Sequence, residues 1–201
     1  VATKRQILDA AARLFGERGI AQTSTNRIAA EAGVSIGTLY RYFADRSALV
    51  DELLDRLLDT LEQRLTARMF GLEQKSVREV ITIILEVMTE QVAAEAPLVR
   101  ALADGVPFYS SGMPEFELRV RLMVKLLIMQ LLGPGDSHEY EVMTSVVVNT
   151  CIAAVLRAAL ADDGYDRAEI IAMTARMITP MAEEEIAARQ SRQQSAPDRP
   201  R

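Results

Sequence analysis

The sequence predicts an all-α protein: an N-terminal three-helix helix-turn-helix domain, then an antiparallel helical bundle. Three observations carry this. Apolar residues recur at three- and four-residue spacing along nearly the whole chain, with no strand alternation and no hairpin dipeptide. Residues 22–49 read as two short helices joined by a glycine turn. The Gly133-Pro134-Gly135 and Asp162-Asp163-Gly164 breakers divide the C-terminal half into long helices.

The first helix is expected from about Lys4 to Arg18, with Ile7, Ala11, Leu14 and Phe15 on one face and Gly19 ending it. The next runs from about Thr25 to Ala32, capped by Ser24 or Thr25, with Ile28, Ala29 and Ala32 inward. Gly33 supplies the turn and Val34 buries in the angle. Ser35 caps a helix from Ile36 to Phe43, whose core face is Leu39 and Phe43. A long leucine-striped helix follows from Ser47 to about Phe70 and links the two domains. Further helices are expected at about 76–94, 98–104, 115–132, 137–161 and 166–188. Pro97 breaks the chain after the first of these, and Pro180 should kink the last or end it early. The stretch from Gly105 to Pro114 is the longest expected loop, apolar enough to line or cover a pocket. Residues 190–201 have no apolar anchors and read as a disordered tail. The expected division is therefore 1–46, 47–189 and 190–201.

With Leu39 and Phe43 inward, the second short helix turns Gly37, Thr38, Tyr40, Arg41 and Tyr42 outward. That is an unusual composition for an inert solvated face. Hydroxyls and guanidinium groups donate to phosphate oxygens, arginine can fork onto guanine, and glycine allows close approach to a groove. The plainer alternative is an amphipathic pair with exposed tyrosines.

The charge distribution sharpens the contrast. The chain carries a net −5 overall, yet residues 1–47 hold seven basic and four acidic residues, a net +3. The positive field coincides with the motif and the acidic body is expected to face away from DNA.

The pattern Ile-Ala-x-Glu-Ala-Gly-Val-Ser-x-Gly-Thr-Leu-Tyr-x-Tyr-Phe-x-Asp-Arg-x-x-Leu resembles the TetR family of bacterial transcriptional regulators. The stretch Arg5 to Gly19 looks like that family's first helix, so the match covers about the first quarter of the chain. The resemblance implies that Thr25 and Arg27 contact phosphate or a base edge. It implies that Ser35, Gly37, Thr38 and Arg41 form the reading surface, with Tyr40 and Tyr42 anchoring on backbone and thymine methyls. Arg46 stands where the family usually has a phosphate-gripping lysine, and keeps the charge. The resemblance further implies a DNA operator, a homodimer and a small-molecule effector as partners, with repression as the usual mode.

The residues themselves support the dimer. The helix over 137–161 has one apolar line through Val142, Val146 and Leu156 and another through Met143, Val147 and Ala154. A helix apolar on both sides is buried on both sides. Paired with the last helix it would form a four-helix bundle across a two-fold axis; the alternative is one central helix in a monomer.

Support for a ligand pocket is compositional. Met69, Phe70, Met88, Phe108, Tyr109, Phe116, Met123 and Met143 are large, adaptable apolar groups spread over several helices, each of which could equally be plain core. Thr89, Gln91, Gln130, Asn149 and Thr150 are polar at otherwise buried positions. Asn149 is the best candidate for a ligand hydrogen bond, or for a structural bond across the dimer interface. A mainly hydrophobic effector is expected.

An enzyme is not expected. The one histidine, His138, sits at a helix start, Cys151 reads as packing, and together they cannot build a usual zinc site. There is no glycine-rich phosphate loop, and no catalytic residue, metal or cofactor is expected. A single cysteine excludes an intrachain disulfide and fits a reducing cytoplasm. No apolar run approaches the roughly 20 residues of a membrane span. Two other readings remain open: a DNA-binding regulator without a small-molecule effector, and a helical dimeric carrier or scaffold.

Overall fold

The computed structural model describes residues 2–69, 71–72, 74–105, 114–133, 135–162 and 164–194. Among these residues there are nine helices and no strand. They are α1 (Ala2–Arg18), α2 (Thr25–Glu31), α3 (Ile36–Tyr42), α4 (Arg46–Met69), α5 (Val77–Ala94), α6 (Ala96–Gly105), α7 (Pro114–Leu132), α8 (Ser137–Leu160) and α9 (Arg167–Gln194).

Local chemistry sets most of the boundaries. Ser24 caps α2 by accepting from the Arg27 N–H, and Ser35 caps α3 by accepting from the Thr38 N–H at 3.1 Å. Gly33, between them, sits at φ +67°, a conformation that suits glycine. Ser76 and Glu79 form a reciprocal box at the start of α5: Ser76 Oγ accepts from the Glu79 N–H at 3.3 Å, and Glu79 Oε2 accepts from the Ser76 N–H at 2.8 Å. The bonds from the Ser76 N–H and hydroxyl hold the Glu79 carboxyl below its usual range. Pro97 falls in the first turn of α6, where its missing N–H has no intrahelical partner to lose.

Pro180 neither ends α9 nor stops its helical pattern. The carbonyl it leaves without an N–H belongs to Arg176, an exposed residue whose backbone water can satisfy. The helix also runs past the expected tail boundary at residue 190 and reaches Gln194. The expected loop residues 106–113 lie outside the described residues.

The chain divides into two compact units. Unit one comprises Val1–Gln63 and Glu90–Leu118; unit two comprises Arg64–Thr89 and Arg119–Arg201. The boundary expected at residue 46 thus falls inside unit one, which includes most of α4 and all of α6.

The core of unit one is built from Ile7, Phe15, Ile28, Leu39, Leu49 and Leu53, each at most 1% exposed. Leu98, Ala101 and Leu102 of α6 complete it. α6 lies directly on α1 at Gly16, where an added Cβ would come within 2.7 Å of Pro97 Cβ. Gly16→Ala is therefore expected to destabilise unit one by about 1–3 kcal/mol despite alanine's better helix propensity. Urea denaturation checks this; a stabilised variant would show that the contact relaxes freely.

In unit two, α8 and α9 run antiparallel. Arg167 Nε donates to the Ala158 carbonyl at 3.3 Å at one end, and Arg189 bonds to Glu139 at 3.2 Å at the other. Asp136 caps α8 through the His138 and Glu139 N–H groups. α8 has the length and mean hydropathy that a membrane span needs, a test that the core helix of a globular fold also passes. Its apolar residues serve three surfaces at once: the contact with α9, a cavity wall, and an exposed face.

Candidate functional site

The exposed face of unit one follows from what α3 buries. Leu39 is fully buried and Phe43 is 3% exposed, so the helix is anchored by its inner side. Gly37, Tyr40, Arg41 and Tyr42 are exposed, and Thr38 is half-buried. Thr25, at the start of α2, shares a hydrogen bond with the Tyr40 hydroxyl at 3.0 Å, which ties the two helices together on this face. Arg41 lies with its guanidinium 5.6 Å from the centre of the Tyr42 ring. Ser35 has its hydroxyl engaged in the cap and with Thr38 Oγ1 at 2.9 Å. Its role here is to fix the start of α3.

Arg27 is exposed beside this set. Arg46 turns back toward the body of the unit, and its Nη1 donates to the carbonyls of Ala21 (3.1 Å) and Thr23 (3.4 Å). Those bonds pin the α1–α2 connection and use one nitrogen of a five-donor group. Thr23, fully buried, completes the connection by donating to the Gly19 carbonyl at 2.8 Å. The structure thus brings Thr25, Gly37, Thr38, Tyr40, Arg41 and Tyr42 onto one surface, with Arg27 and Arg46 at its margin.

Unit two contains a cavity of about 100 Å³ between α5, α7, α8 and α9. Its wall includes Ile81, Ile84, Leu85 and Met88 from α5, Val124, Ile128 and Leu131 from α7, Met143, Val147 and Cys151 from α8, and Ile178, Ala182 and Glu185 from α9. Met88 and Met143 are the expected ligand residues that it brings together. Met123 is buried next to a wall residue but is not in the wall. Asn149 does not reach the cavity: it is exposed, and its Nδ2 donates to the Ser145 carbonyl at 2.7 Å. The reason is helical phase. α8 turns 143, 147 and 151 inward, and a residue two positions from 147 points to the opposite side. Gln130 and Thr150 are exposed as well, whereas Thr89 and Gln91 are buried. Phe70, Phe108 and Tyr109 lie outside the described residues, as do the side chains of Met69 and Phe116.

Glu185 is the one charged residue in the cavity wall, and sequence reasoning missed it because it lies on a glutamate-rich stretch that looks solvated. Its Oε1 accepts from Arg189 Nε at 2.8 Å and from Arg192 Nη2 at 3.1 Å. The carboxylate is compensated from within the protein, so the cavity presents no unpaired charge. Burial pushes the Cys151 thiol up to about 11. Cys151 is therefore expected to react with iodoacetamide at pH 8 at least tenfold more slowly than a free cysteine, because little thiolate forms. Mass spectrometry of the labelled protein reads this directly.

A buried-capped α2–α3 pair with a basic and aromatic outer face is the geometry of a DNA-reading helix. Residues 7–53 match the family model for bacterial regulatory proteins of the tetR family. Over these residues the chain belongs to the TetR family. The regulator HbdR of Aromatoleum sp. strain CIB is 41% identical over 69 residues, a match covering 34% of this chain and 30% of HbdR. It spans about a third of either protein. A tetR-family regulator from Streptomyces coelicolor superposes with a TM-score of 0.72 at 20% identity, covering 93% of this chain and 86% of that one. FadR from Bacillus subtilis in complex with stearoyl-CoA gives 0.68 at 18% identity, with 87% and 97% covered. These structural likenesses extend the TetR-type fold over both units: a helix-turn-helix domain and a helical body.

Proposed function

We propose that this TetR-family chain is a ligand-responsive transcriptional repressor. As a homodimer it binds a palindromic operator, and a small, mainly hydrophobic effector releases it. The observation that carries this is the pairing, within one chain, of an exposed basic and aromatic face in unit one with an apolar cavity in unit two. A solved neighbour of the same fold holds stearoyl-CoA, and the apolar stearoyl chain of that ligand is the part to which this cavity is chemically suited.

The dimer is supported by apolar side chains that α8 and α9 leave in solvent. Val142 and Val146 are 51% and 56% exposed, and Met173 and Met177 are 48% and 67% exposed. Burying such a row against a second copy is favourable at about 25 cal/mol per Å². A two-fold dimer sets two recognition helices about 34–36 Å apart, the spacing of successive major grooves. An effector that favours a conformation mismatched to that spacing by about 2.7 kcal/mol would reduce operator affinity a hundredfold. Action on chromosomal DNA places the protein in the cytoplasm.

The test is selection of genomic fragments by the purified protein at physiological salt, followed by sequencing. A recovered palindrome is expected; recovery of no preferred sequence would overturn the operator reading. Arg46→Ala adds a sharper result. If Arg46 also meets phosphate, the slope of log affinity against log salt is expected to become shallower by about one. An unchanged slope would leave it only the carbonyl contacts described above.

A further inference from the structure

Four threonines inside helices bond in the usual way, each hydroxyl donating to the carbonyl four residues earlier. These are Thr60, Thr82, Thr174 and Thr179, at 2.7–2.9 Å. Thr89 of α5 departs from that pattern. It is fully buried, yet its Oγ1 has no hydrogen-bond partner among the described residues. A buried hydroxyl left unmade is costly, and in a native fold it calls for a reason. Thr89 lines a second, smaller cavity with Leu85, Val155, Ile171 and Thr174. That cavity is too narrow to seat a water molecule.

Leu85 lines both cavities and so stands between them. The two follow one another along the antiparallel α8–α9 pair, from Met143 and Glu185 at one end to Val155 and Ile171 at the other. Along α8 that is 12 residues, about 18 Å. Among the described residues, neither wall contains lysine, arginine or histidine, and the one carboxylate, Glu185, is already compensated.

We infer that Thr89 is the polar anchor of an elongated effector site, and that the effector is a neutral, mostly apolar molecule with one hydrogen-bonding oxygen, an alcohol or a ketone. The apolar body fills the main cavity, and Leu85, which lines both, turns aside on binding so that the smaller cavity widens and admits the oxygen to Thr89 Oγ1. A hydroxyl both donates and accepts, so it matches either group. A carboxylate at Thr89 would be desolvated with no cation to meet it. This rests on the effector reading proposed above.

The experiment measures binding of 1-octanol, 2-octanone and octanoate to the full chain by calorimetry, in wild type, Thr89→Val, Thr89→Ser and Thr144→Val. Thr144 is the control: its hydroxyl is also buried and unpartnered, but it lines neither cavity. The alcohol and ketone are expected to bind at least tenfold tighter than octanoate. Thr89→Val is expected to weaken octanol about fivefold, the loss of one hydrogen bond, while Thr89→Ser and Thr144→Val change it less than twofold. Octanol binding unchanged in Thr89→Val, or octanoate binding tightest, would overturn the anchor alone. No binding by any of the three, with Cys151 alkylated at the same rate in their presence, would overturn the effector reading and the anchor with it.

Discussion

Gly37→Glu is expected to weaken operator binding about a hundredfold while leaving the fold intact. Gly37 is exposed on α3, and a Cβ placed there meets nothing closer than Ser35 Oγ at 3.9 Å. Its backbone has no positive φ and so needs no glycine, and a glutamate in the first turn of a helix is favourable toward the helix dipole by about 0.3–1 kcal/mol. Packing therefore gives no reason for a missing side chain at this position. On a groove-facing helix there is one: the bare backbone lets α3 sit close to the bases. A carboxylate there would fill that space and face the phosphates. A loss of operator affinity on the order of a hundredfold is expected, with thermal unfolding at or slightly above wild type. Fluorescence anisotropy with a labelled operator and a thermal melt check the two halves. Retained affinity would remove α3 from the groove.

Arg189→Met is expected to cost about 3 kcal/mol of unfolding free energy. Arg189 is 4% exposed. It serves Glu185 and Glu139, bonds the buried Tyr140 hydroxyl, and stacks 4.7 Å from the Tyr140 ring centre. Gly135 makes room for it: a Cβ there would collide with Nη1. Methionine keeps much of the volume and removes every donor, leaving Glu185 with only the exposed Arg192. Arg192→Met, at a side chain 60% exposed, is expected to change stability by less than about 0.5 kcal/mol. Urea denaturation of both variants decides it, and equal effects would show that the buried position contributes nothing special.

The exposed face of α3 was legible in the sequence because its determinants are local. Ser24, Ser35 and Gly33 mark the helix ends within a few residues of what they cap, and Leu39 with Phe43 fixes which side of α3 faces out. Arg46 was legible as a charge but not as a partner of Ala21 and Thr23, since that contact joins residues more than 20 positions apart.

The cavity was largely illegible. α8 is apolar on both sides, so its periodicity names no inward face, and Asn149 could not be separated from Val147 or Cys151. The tail expected from residue 190 begins inside α9, which runs on to Gln194: glutamine and arginine are good helix formers, and Arg189 ties the preceding turn to α8 across about 50 positions. Likewise no local feature of residues 96–105 shows that they complete the core of the N-terminal unit.

That last placement bears on how such regulators can be recombined. A chimaera that joins residues 1–63 to a foreign sensory body would arrive without Pro97, Leu98 and Leu102, and with a groove at Gly16 shaped for a segment it no longer owns. The transplantable module is the N-terminal stretch together with α6, two pieces of chain separated in sequence but inherited as one solid.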